Sequence, residues 1–333
     1  MENLTFIVIV IGIALVFDFT NGVHDAANSV ATIVSTRVLS PRYAVIWAAF
    51  FNFISFMFFG TEVAKTIGKG LIDISVVNPL VILGGLLGAI IWNLITWYFG
   101  IPTSSSHALI GGYAGSAIAQ SGFGVIIPGG WYKTLAFIVL APAIGMILGV
   151  IFLILSTWSV LRKSPAFVNF WSRKLQLFSA ALYSLGHGGN DAQKTMGIIT
   201  GVLFSSGLIS SFHVPVWVMM SCYAVIALGT MMGGWRIIKT MGQKITALRP
   251  IDGSCAETAS AISIFLATHL GVPVSTTHVI TGAITGVGAA KRFSAVRWGV
   301  TFRIVWAWLL TIPCSAIIGG ACYLIFNAVR KSF

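Results

Sequence analysis

Two short polar stretches lie within otherwise apolar sequence and share a frame of residues that can bind ions. The first, Asn21 to Asn28, reads NGVHDAAN, and the second, Gly188 to Lys194, reads GGNDAQK. Their aspartates, Asp25 and Asp191, occupy equivalent positions. A carboxylate binds a proton or a metal cation, while a neighbouring amide either coordinates a cation through oxygen or donates to an anion through nitrogen. If the flanking runs cross a membrane, a charge at its centre costs at least ~2.5 kcal/mol, so both aspartates are expected to be functional.

A second pair of stretches predicts two helix starts. Residues 100–107 read GIPTSSSH, and residues 271–278 read GVPVSTTH. The glycine suits the end of one helix, the proline prevents its continuation, and the first serine can cap the next helix. Free N–H groups and the positive end of the dipole bind anions at such a start, and hydroxyl groups add donors. The expected anion ligands are the hydroxyl residues of the two turns: Ser104, Ser105, Ser106, Ser275, Thr276 and Thr277.

The two kinds of stretch together predict cotransport of an anion with a cation. Two buried aspartates would repel an anion unless protons or metal cations neutralised them. Glycines at positions 22, 188 and 189 permit a break in each helix, which would expose backbone groups beside the polar side chains. The residues expected to hold the coupling ion are the polar members of the acidic stretches: Asn21, His24, Asp25, Asn190 and Asp191.

Composition places these stretches in a membrane protein. The chain of 333 residues is 57% hydrophobic and only 8% charged, against about a quarter charged in soluble domains. Several apolar runs approach or exceed the ~20 residues that cross a bilayer as a helix: Leu4 to Phe17, Ala44 to Gly60, Leu80 to Phe99, Thr134 to Thr157, Val214 to Gly233, and Val300 to Phe326. The first run is not expected to be a signal peptide, because Glu2 is acidic and no small-residue cleavage site precedes the polar stretch.

The net charge of +12 indicates membrane topology and contact with anionic lipid rather than nucleic acid, because the charges lie in short connections between apolar runs. Four cysteines, Cys222, Cys255, Cys314 and Cys322, lie in apolar segments without metal-ligand spacing. They are interpreted as buried free thiols, and no structural metal or cofactor is expected.

The chain is a repeat of about half its length. Asp25 corresponds to Asp191, Lys65 to Lys239 within a shared Lys-Thr-x-Gly stretch, and the turn at 100–107 to the turn at 271–278. Three matches in the same order predict two copies of one unit. The expected division is a first repeat at 1–160 with a hairpin at about 80–120, a basic cytoplasmic linker at 161–174, and a second repeat at 175–333 with a hairpin at about 254–290.

Each half has an odd number of expected crossings, three or five, so the second half must run inverted relative to the first. Inverted repeats are typical of secondary transporters. Cytoplasmic loops collect Lys and Arg, and an amino terminus outside the cell places 13 basic residues inside and 5 outside. The inside group is Arg37, Arg42, Arg162, Lys163, Arg173, Lys174, Arg236, Lys239, Lys244, Arg249, Lys291, Arg292 and Arg297. The amino terminus is therefore expected outside, with the halves inverted.

These features resemble the inorganic phosphate transporters of the Pit type, over essentially the whole chain. The resemblance rests on both acidic stretches, both proline-serine-histidine turns, and the residues Trp92-Asn93 and Trp97 to Gly100 before the first turn. It is closest to compact, low-affinity bacterial permeases. The family implies an all-α polytopic membrane protein with two inverted repeats, each with a broken first span and a re-entrant hairpin. It also implies import of inorganic phosphate by symport with alternating access, and a homodimer in the cell membrane. Phosphate is expected to enter as the free ion or as a metal-phosphate complex.

By the same resemblance, phosphate binding falls on Asp25, Asn28, Asp191 and Gln193 as well as the turn hydroxyls. The coupling ion is less clearly indicated. The first stretch has His24 where many sodium-coupled relatives have asparagine, and Asn52 lies where some animal members carry glutamate. Both differences favour protons.

Glu257, in the first arm of the second hairpin, is an acid that a sodium-coupled member would also keep, so Na⁺ remains an alternative coupling ion.

Several further residues have both a functional and a structural interpretation. Lys194 either contacts the anion or pairs with Asp191 or Glu257. Asp18 is equally open to a structural pair and to a role in the site. Arg303 is interpreted as an inter-helix tie or as an arginine reaching the membrane surface. The remaining candidates for the site, for which a structural role at the turns is favoured, are Thr103, His107 and His278.

Three alternatives to phosphate symport differ in what they require. A serine hydrolase would need two equivalent catalytic sites and a nucleophile elbow, which the sequence lacks, so the chain is not expected to be an enzyme. A passive anion channel could use the same helix starts but gives no reason for paired acids. A sulfate permease of the same fold is the closest alternative. Protonated phosphate can donate to a carboxylate and the sulfate dianion cannot, so Asp25 and Asp191 favour phosphate.

Overall fold

A computed structural model describes residues 4–332, so Glu2 and the amino terminus lie outside the described residues. The described chain is helical, with no β-strand beyond a single bridge between Ile72 and Ile126. The first half contains α1 Leu4–Ser35, α2 Pro41–Ile54, α3 Glu62–Lys69, α4 Pro79–Phe99, α5 Ser105–Ser121 and α6 Pro128–Val160. The second half contains α7 Pro165–Ser205, α8 Val216–Met232, α9 Trp235–Lys239, α10 Pro250–His269, α11 Thr276–Lys291 and α12 Trp298–Ser332. The expected all-α class is confirmed.

The two halves have the same order of elements. Each begins with a long helix carrying an acidic stretch, continues with a bent pair of shorter helices and a hairpin, and ends with a long closing helix. The closing helices are exchanged: α12 packs against the first hairpin, α4 and α5, and α6 packs against the second hairpin, α10 and α11. In the same way α1 packs on α8, and α7 packs on α2. Each half therefore supplies part of the packing around the hairpin and the first helix of the other.

Among the described residues, four helices are long and apolar enough to cross a membrane: α1, α4, α6 and α12. The bent pairs α2–α3 and α8–α9 raise the number to six if each pair forms one span. The longest helix, α7, is outside this set although it has 41 residues. From Ser179 to Leu203 this helix carries many polar side chains and lies almost wholly inside the protein, whereas its first turns are largely exposed.

The expected break in each first span is wrong, since α1 and α7 run through the acidic stretches as uninterrupted α-helices. The glycines serve close packing instead. A Cβ on Gly22 would clash with the carbonyl oxygen of Ile226 in α8. One on Gly188 would lie 2.5 Å from the carbonyl oxygen of Asn52 in α2. Glycine at these positions lets the helix backbones approach each other, as it does between membrane helices.

The breaks occur in the second spans. Residues Pro41–Met57 and Glu62–Lys69 meet at 87°, and Val216–Met232 and Trp235–Lys244 meet at 64°. Gly233 has a left-handed backbone with φ of 72°, which lets the chain turn after α8. Thr240–Lys244 then form a π-helical turn after α9. The repeated Lys-Thr-x-Gly stretch lies just after each bend, in α3 and in this π-helical turn.

The connection between the halves is shorter than expected. Only residues 161–164 separate α6 from α7, and the rest of the segment at 161–174 belongs to α7. Pro165 occupies the first position of α7, where its missing N–H is not needed, and the Ser164 hydroxyl accepts a bond from the Phe167 N–H. A proline-capped start extends the helix into what composition alone assigns to a linker.

The cysteines are only partly as expected. All four are free thiols within the described part of the chain, but Cys314 and Cys322 are half-buried while Cys222 and Cys255 are buried. Both half-buried residues lie on α12, whose outer face is largely exposed.

Candidate functional site

The two serine-containing turns have the same local structure. Gly100 and Gly271 adopt left-handed backbones with φ of 66° and 67°, so each preceding helix ends there. Ser104 and Ser275 then have extended backbones, and each hydroxyl accepts a bond of 3.2 Å from the N–H three residues later. This cap uses one free N–H of each new helix and leaves the others of the first turn available. Both turns therefore present the start of a helix, as the sequence predicts.

The two turns meet inside the protein. The rings of His107 and His278, which follow the hydroxyl residues of each turn, lie 4.8 Å apart. His278 also stacks on Trp308 of α12 at 3.8 Å, and the Trp308 indole donates to the carbonyl oxygen of Pro102 at 3.1 Å. These ring contacts place both histidines between the turns and give them a packing role.

The first acidic stretch contacts the first turn. His24 Nδ1 lies 2.7 Å from Asp25 Oδ1, and the Ser105 hydroxyl donates to the same carboxylate oxygen at 3.3 Å. On its other side, His24 Nε2 lies 3.1 Å from the hydroxyl of Thr96 and 3.5 Å from that of Thr103. A proton could therefore move between an imidazole and a carboxylate that are already in contact.

The second acidic stretch carries the cation of the site. Lys194 Nζ donates to Asp191 Oδ1 and to the Ser106 hydroxyl, each at 2.5 Å, and to the Val274 carbonyl oxygen at 2.8 Å. The other carboxylate oxygen of Asp191 lies 3.6 Å from His187 Nδ1. Lys194 is thus both the partner of Asp191 and a bridge to the turn of the other half.

Asn28 makes the corresponding contact from the first half to the turn of the second half. Its amide donates to the hydroxyl of Thr277 at 2.8 Å and of Thr276 at 3.4 Å, so α1 reaches the second turn. These groups form one buried assembly, the central cluster, whose side chains belong to residues that are at most 3% exposed. Its members are His24, Asp25, Asn28, Ser104, Ser105, Ser106, His187, Asp191, Lys194, Ser275, Thr276 and Thr277.

Several buried acceptors of this region have no hydrogen-bond partner within the described residues: Asn21 Oδ1, Asn28 Oδ1, Asn190 Oδ1 and Asp191 Oδ2. A buried polar atom without a partner is costly, so such atoms mark places where a ligand or ion completes the bonding. Oxygen acceptors suit a hard cation such as Na⁺, or the hydroxyl of a protonated oxyanion. The hydroxyls, Lys194 and the helix N–H groups supply the complementary donors for the anion.

Two of the expected site residues, Gln193 and Asn190, bond mainly with groups outside the central cluster. Gln193 accepts from the Val63 N–H at 2.9 Å and donates to the Gly189 carbonyl at 2.6 Å, which fixes the start of α3. Asn190 donates to the Thr268 hydroxyl at 2.9 Å. The Gln193 amide thus bonds with α3 and with its own helix, α7, whereas the Asn190 amide bonds with α10 and also, at 3.4 Å, with the Val272 carbonyl oxygen of the second turn.

Glu257 lies in a separate buried group. Its carboxylate accepts bonds from Thr32 and Ser179, each at 2.5 Å, and from Gln176 at 3.2 Å. Thr32 lies one helical turn beyond Asn28 on α1, so the group around Glu257 is next to the central cluster. Among the described residues, Glu257 has no hydrogen bond with Asp25 or Asp191.

Sequence reasoning missed His187, Thr96 and Tyr183. Tyr183 donates to the Thr276 carbonyl oxygen at 3.3 Å, and His187 Nδ1 lies 3.2 Å from the Thr276 hydroxyl. His187 occupies the position that corresponds to Asn21 in the repeat. If the second stretch had been started one residue earlier, before Gly188, it would have included this histidine. Thr96 lies on α4 between Trp92-Asn93 and Trp97, which the sequence analysis singled out, but the threonine itself was not considered.

Asp18 has a structural partner. Its carboxylate accepts a bond of 2.8 Å from the Thr195 hydroxyl, which ties α1 to α7 one residue beyond Lys194. Its other carboxylate oxygen, Oδ2, is buried without a hydrogen-bond partner within the described residues, so this contact does not exclude a role for Asp18 in the site.

Comparison with known proteins gives consistent matches. The sequence pattern described as "Phosphate transporter family" matches residues 21–171 and again residues 162–319. The chain is 59% identical to a protein of Rhizobium meliloti over 96% of both chains, and 47% identical to one of Bacillus subtilis over 99% of this chain and 100% of the other. Both relatives carry the name "Probable low-affinity inorganic phosphate transporter". A solved structure named "The sodium-dependent phosphate transporter" matches with a TM-score of 0.90 and 25% identity, over 98% of this chain and 100% of that one.

Proposed function

The chain belongs to the phosphate transporter family, and from that premise we propose that it imports inorganic phosphate across the cell membrane by cation symport. The family is one of transporters, in agreement with the expectation that the chain is not an enzyme. The names of the relatives support phosphate as the substrate.

One observation carries the proposal: two capped helix starts meet beside two buried aspartates. The histidine rings in the first turns of the two helices lie 4.8 Å apart. Helix starts and hydroxyls supply donors for an oxyanion without adding a full charge. Asp25 and Asp191 supply the sites at which cations neutralise the anion. A site with both kinds of group, closed off from solvent, suits a carrier that binds anion and cation together.

The residues proposed to bind phosphate are Asp25, Asn28, Asp191, Gln193, Ser104, Ser105, Ser106, Ser275, Thr276 and Thr277. Those proposed for the coupling ion are Asn21, His24, Asp25, Asn190, Asp191 and Glu257. Lys194, with its three contacts, acts as the cation that lowers the repulsion between Asp191 and phosphate. We assign Gln193 and Asn190 the weakest direct roles, because the Gln193 amide bonds with Val63 and Gly189, and the Asn190 amide bonds with Thr268 and Val272.

The halves are proposed to be inverted repeats whose hairpins, α4–α5 and α10–α11, enter the membrane from opposite faces and return. The exchanged packing of α6 and α12 and the distribution of basic residues support this arrangement. Alternating access then moves the hairpins and first spans relative to the closing helices. The amino terminus is placed outside, and the protein is proposed to be a homodimer, as the family resemblance implies.

Protons are the proposed coupling ion, with Na⁺ as the alternative. The contact of 2.7 Å between His24 and Asp25 offers a proton site inside the cluster, whereas Asp191 already pairs with Lys194. A solved relative is named as sodium-dependent, and the unpartnered oxygens of Asn21 and Asn28 would suit Na⁺. The two ions therefore need a direct test.

Purified protein in liposomes separates these possibilities. Uptake of labelled phosphate is measured under an imposed proton gradient and then under a sodium gradient, with sulfate as competitor. Proton symport predicts faster uptake when the outside is acidic, and little effect of sodium. Uptake that ignores both gradients would instead indicate a passive anion channel, and preferential uptake of sulfate would indicate a sulfate permease.

A further inference from the structure

A cavity of about 320 Å³ borders the first turn outside the central cluster. It is lined by residues 99–102, by Thr240 and Lys244 of the π-helical turn, and by Val300, Arg303 and Ile304 of α12. The residues that follow 99–102 in the chain are Thr103 to Ser106, so one wall of this cavity leads directly into the candidate phosphate site.

The cavity carries uncompensated positive charge. Lys244 and Arg303 are exposed, and neither side chain has a hydrogen bond or ion pair with any residue in the described range 4–332. Some basic residues elsewhere have acidic partners, as Lys65 has Glu62 and Lys291 has Asp252. None of the residues that line this cavity is acidic. An anion is the complementary ligand.

Exposed aromatic side chains lie in the cavity wall and near Arg303 along α12. Phe99, which lines the cavity, is 68% exposed, and on α12 Phe302 and Trp306, which do not line it, are 61% and 64% exposed. Because α12 is long and apolar enough to cross a membrane, and Arg303 lies within its first two turns, these rings are placed as aromatic residues are at a membrane interface. Arginine near the end of a span reaches towards the phosphate level of the lipids, and its planar group binds phosphate oxygens in pairs.

We propose that Lys244 and Arg303 hold a phosphate group in this cavity. The group belongs either to an anionic phospholipid or to free phosphate, which share this chemistry, and the exposed Phe99 in the wall together with the exposed aromatic residues of α12 favours the lipid. The occupant contacts the wall formed by the first turn. That wall is also held by the Thr240 hydroxyl, which donates to the Gly100 carbonyl at 3.0 Å, and by the Trp308 indole on Pro102.

Labelling of lysine amines tests the proposal on the purified wild-type protein. An amine-reactive acetylating reagent is applied in detergent, and mass spectrometry follows the rate at Lys244. Lys239, which is exposed on α9 and does not line the cavity, serves as the internal control. One arm compares added phosphatidylglycerol with phosphatidylcholine, and the other compares inorganic phosphate with chloride at equal ionic strength.

Bound phosphatidylglycerol is expected to slow labelling of Lys244 about fivefold at roughly four-fifths occupancy, with Lys239 unchanged. Protection by phosphatidylglycerol alone identifies a lipid, and protection by inorganic phosphate without lipid identifies the free ion. Equal labelling of Lys244 in every condition would overturn the proposal.

Arginine variants separate specific binding from general charge. Arg303→Gln is expected to remove the protection of Lys244, whereas Arg297→Gln, an exposed arginine of the same region that does not line the cavity, is expected to retain it. Protection that persists in folded Arg303→Gln protein would contradict the proposal. Because Asp191→Asn should stop uptake without changing this protection, failure of the proposed transport function and failure of this second site are distinguishable.

Discussion

Asn28 and Lys194 make equivalent contacts from opposite halves of the chain. Asn28 donates to Thr277 in the second turn at 2.8 Å, and Lys194 donates to Ser106 in the first turn at 2.5 Å. The two donors correspond in the repeat, and so do the two acceptors. The contact is thus duplicated, but a neutral amide makes it on one side and an ammonium group on the other. This difference gives the central cluster a charge asymmetry.

Replacing Lys194 by asparagine would make the two contacts alike. Lys194→Asn leaves Asp191 buried without its cation, and breaking a buried ion pair costs about 3–5 kcal/mol. We expect lower thermal stability and loss of phosphate uptake. Lys65→Asn is the control, because Lys65 pairs with Glu62 on the surface, where a pair contributes about 0–1 kcal/mol. Normal uptake by Lys194→Asn would remove the lysine from the proposed mechanism.

We expect the buried aspartates to be required for phosphate uptake but not for insertion of the protein into the membrane. Asp191→Asn keeps the shape of the side chain and removes the charge that pairs with Lys194, so uptake in liposomes is expected to be abolished while the protein still inserts into the membrane. Asp73→Asn serves as the control, since Asp73 is exposed and caps a short turn through the Ser75 N–H. Near-normal uptake by Asp191→Asn would exclude Asp191 from the site.

Gly22 should tolerate alanine poorly because of packing. A Cβ there meets the Ile226 carbonyl of α8, whereas a Cβ on Gly12 of the same helix meets nothing within 4 Å. We expect Gly22→Ala to cost about 1–3 kcal/mol through overpacking, and Gly12→Ala to be neutral or to stabilise α1 by up to about 1 kcal/mol. Thermal unfolding in detergent measures both. Equal melting temperatures would contradict the close approach of α1 and α8.

Two capping serines, Ser104 and Ser164, allow an effect on stability to be distinguished from an effect on phosphate binding. Ser104→Ala and Ser164→Ala each remove a hydroxyl that accepts a backbone N–H, and each should cost about 1 kcal/mol. Only Ser104 starts a helix at the proposed phosphate site, so only its variant should raise the KM for phosphate. An equal effect of the two substitutions on uptake would mean that Ser104 acts through stability alone.

The sequence predicted the helical class, the duplicated motifs and the two turns, because these depend on local signals such as glycine, proline and capping serine. It failed at Gly22 and Gly188, where it predicted broken helices. A glycine in a helix permits either a break or a close neighbour, and the choice depends on the α2 and α8 backbones that pack there. The partners of Gln193 and Glu257 were hidden for a similar reason, because both depend on helices distant in the chain.

The exchange of closing helices also affects the order in which the protein can assemble. The first hairpin, complete at Ser121, is covered by α12, which begins only at Trp298. During synthesis, the polar turn of the first hairpin therefore lacks its contacts with α12 until this last helix has been made. A chain truncated before α12 would therefore leave the first turn uncovered, which makes such a product recognisable to the proteases that remove unfinished membrane proteins.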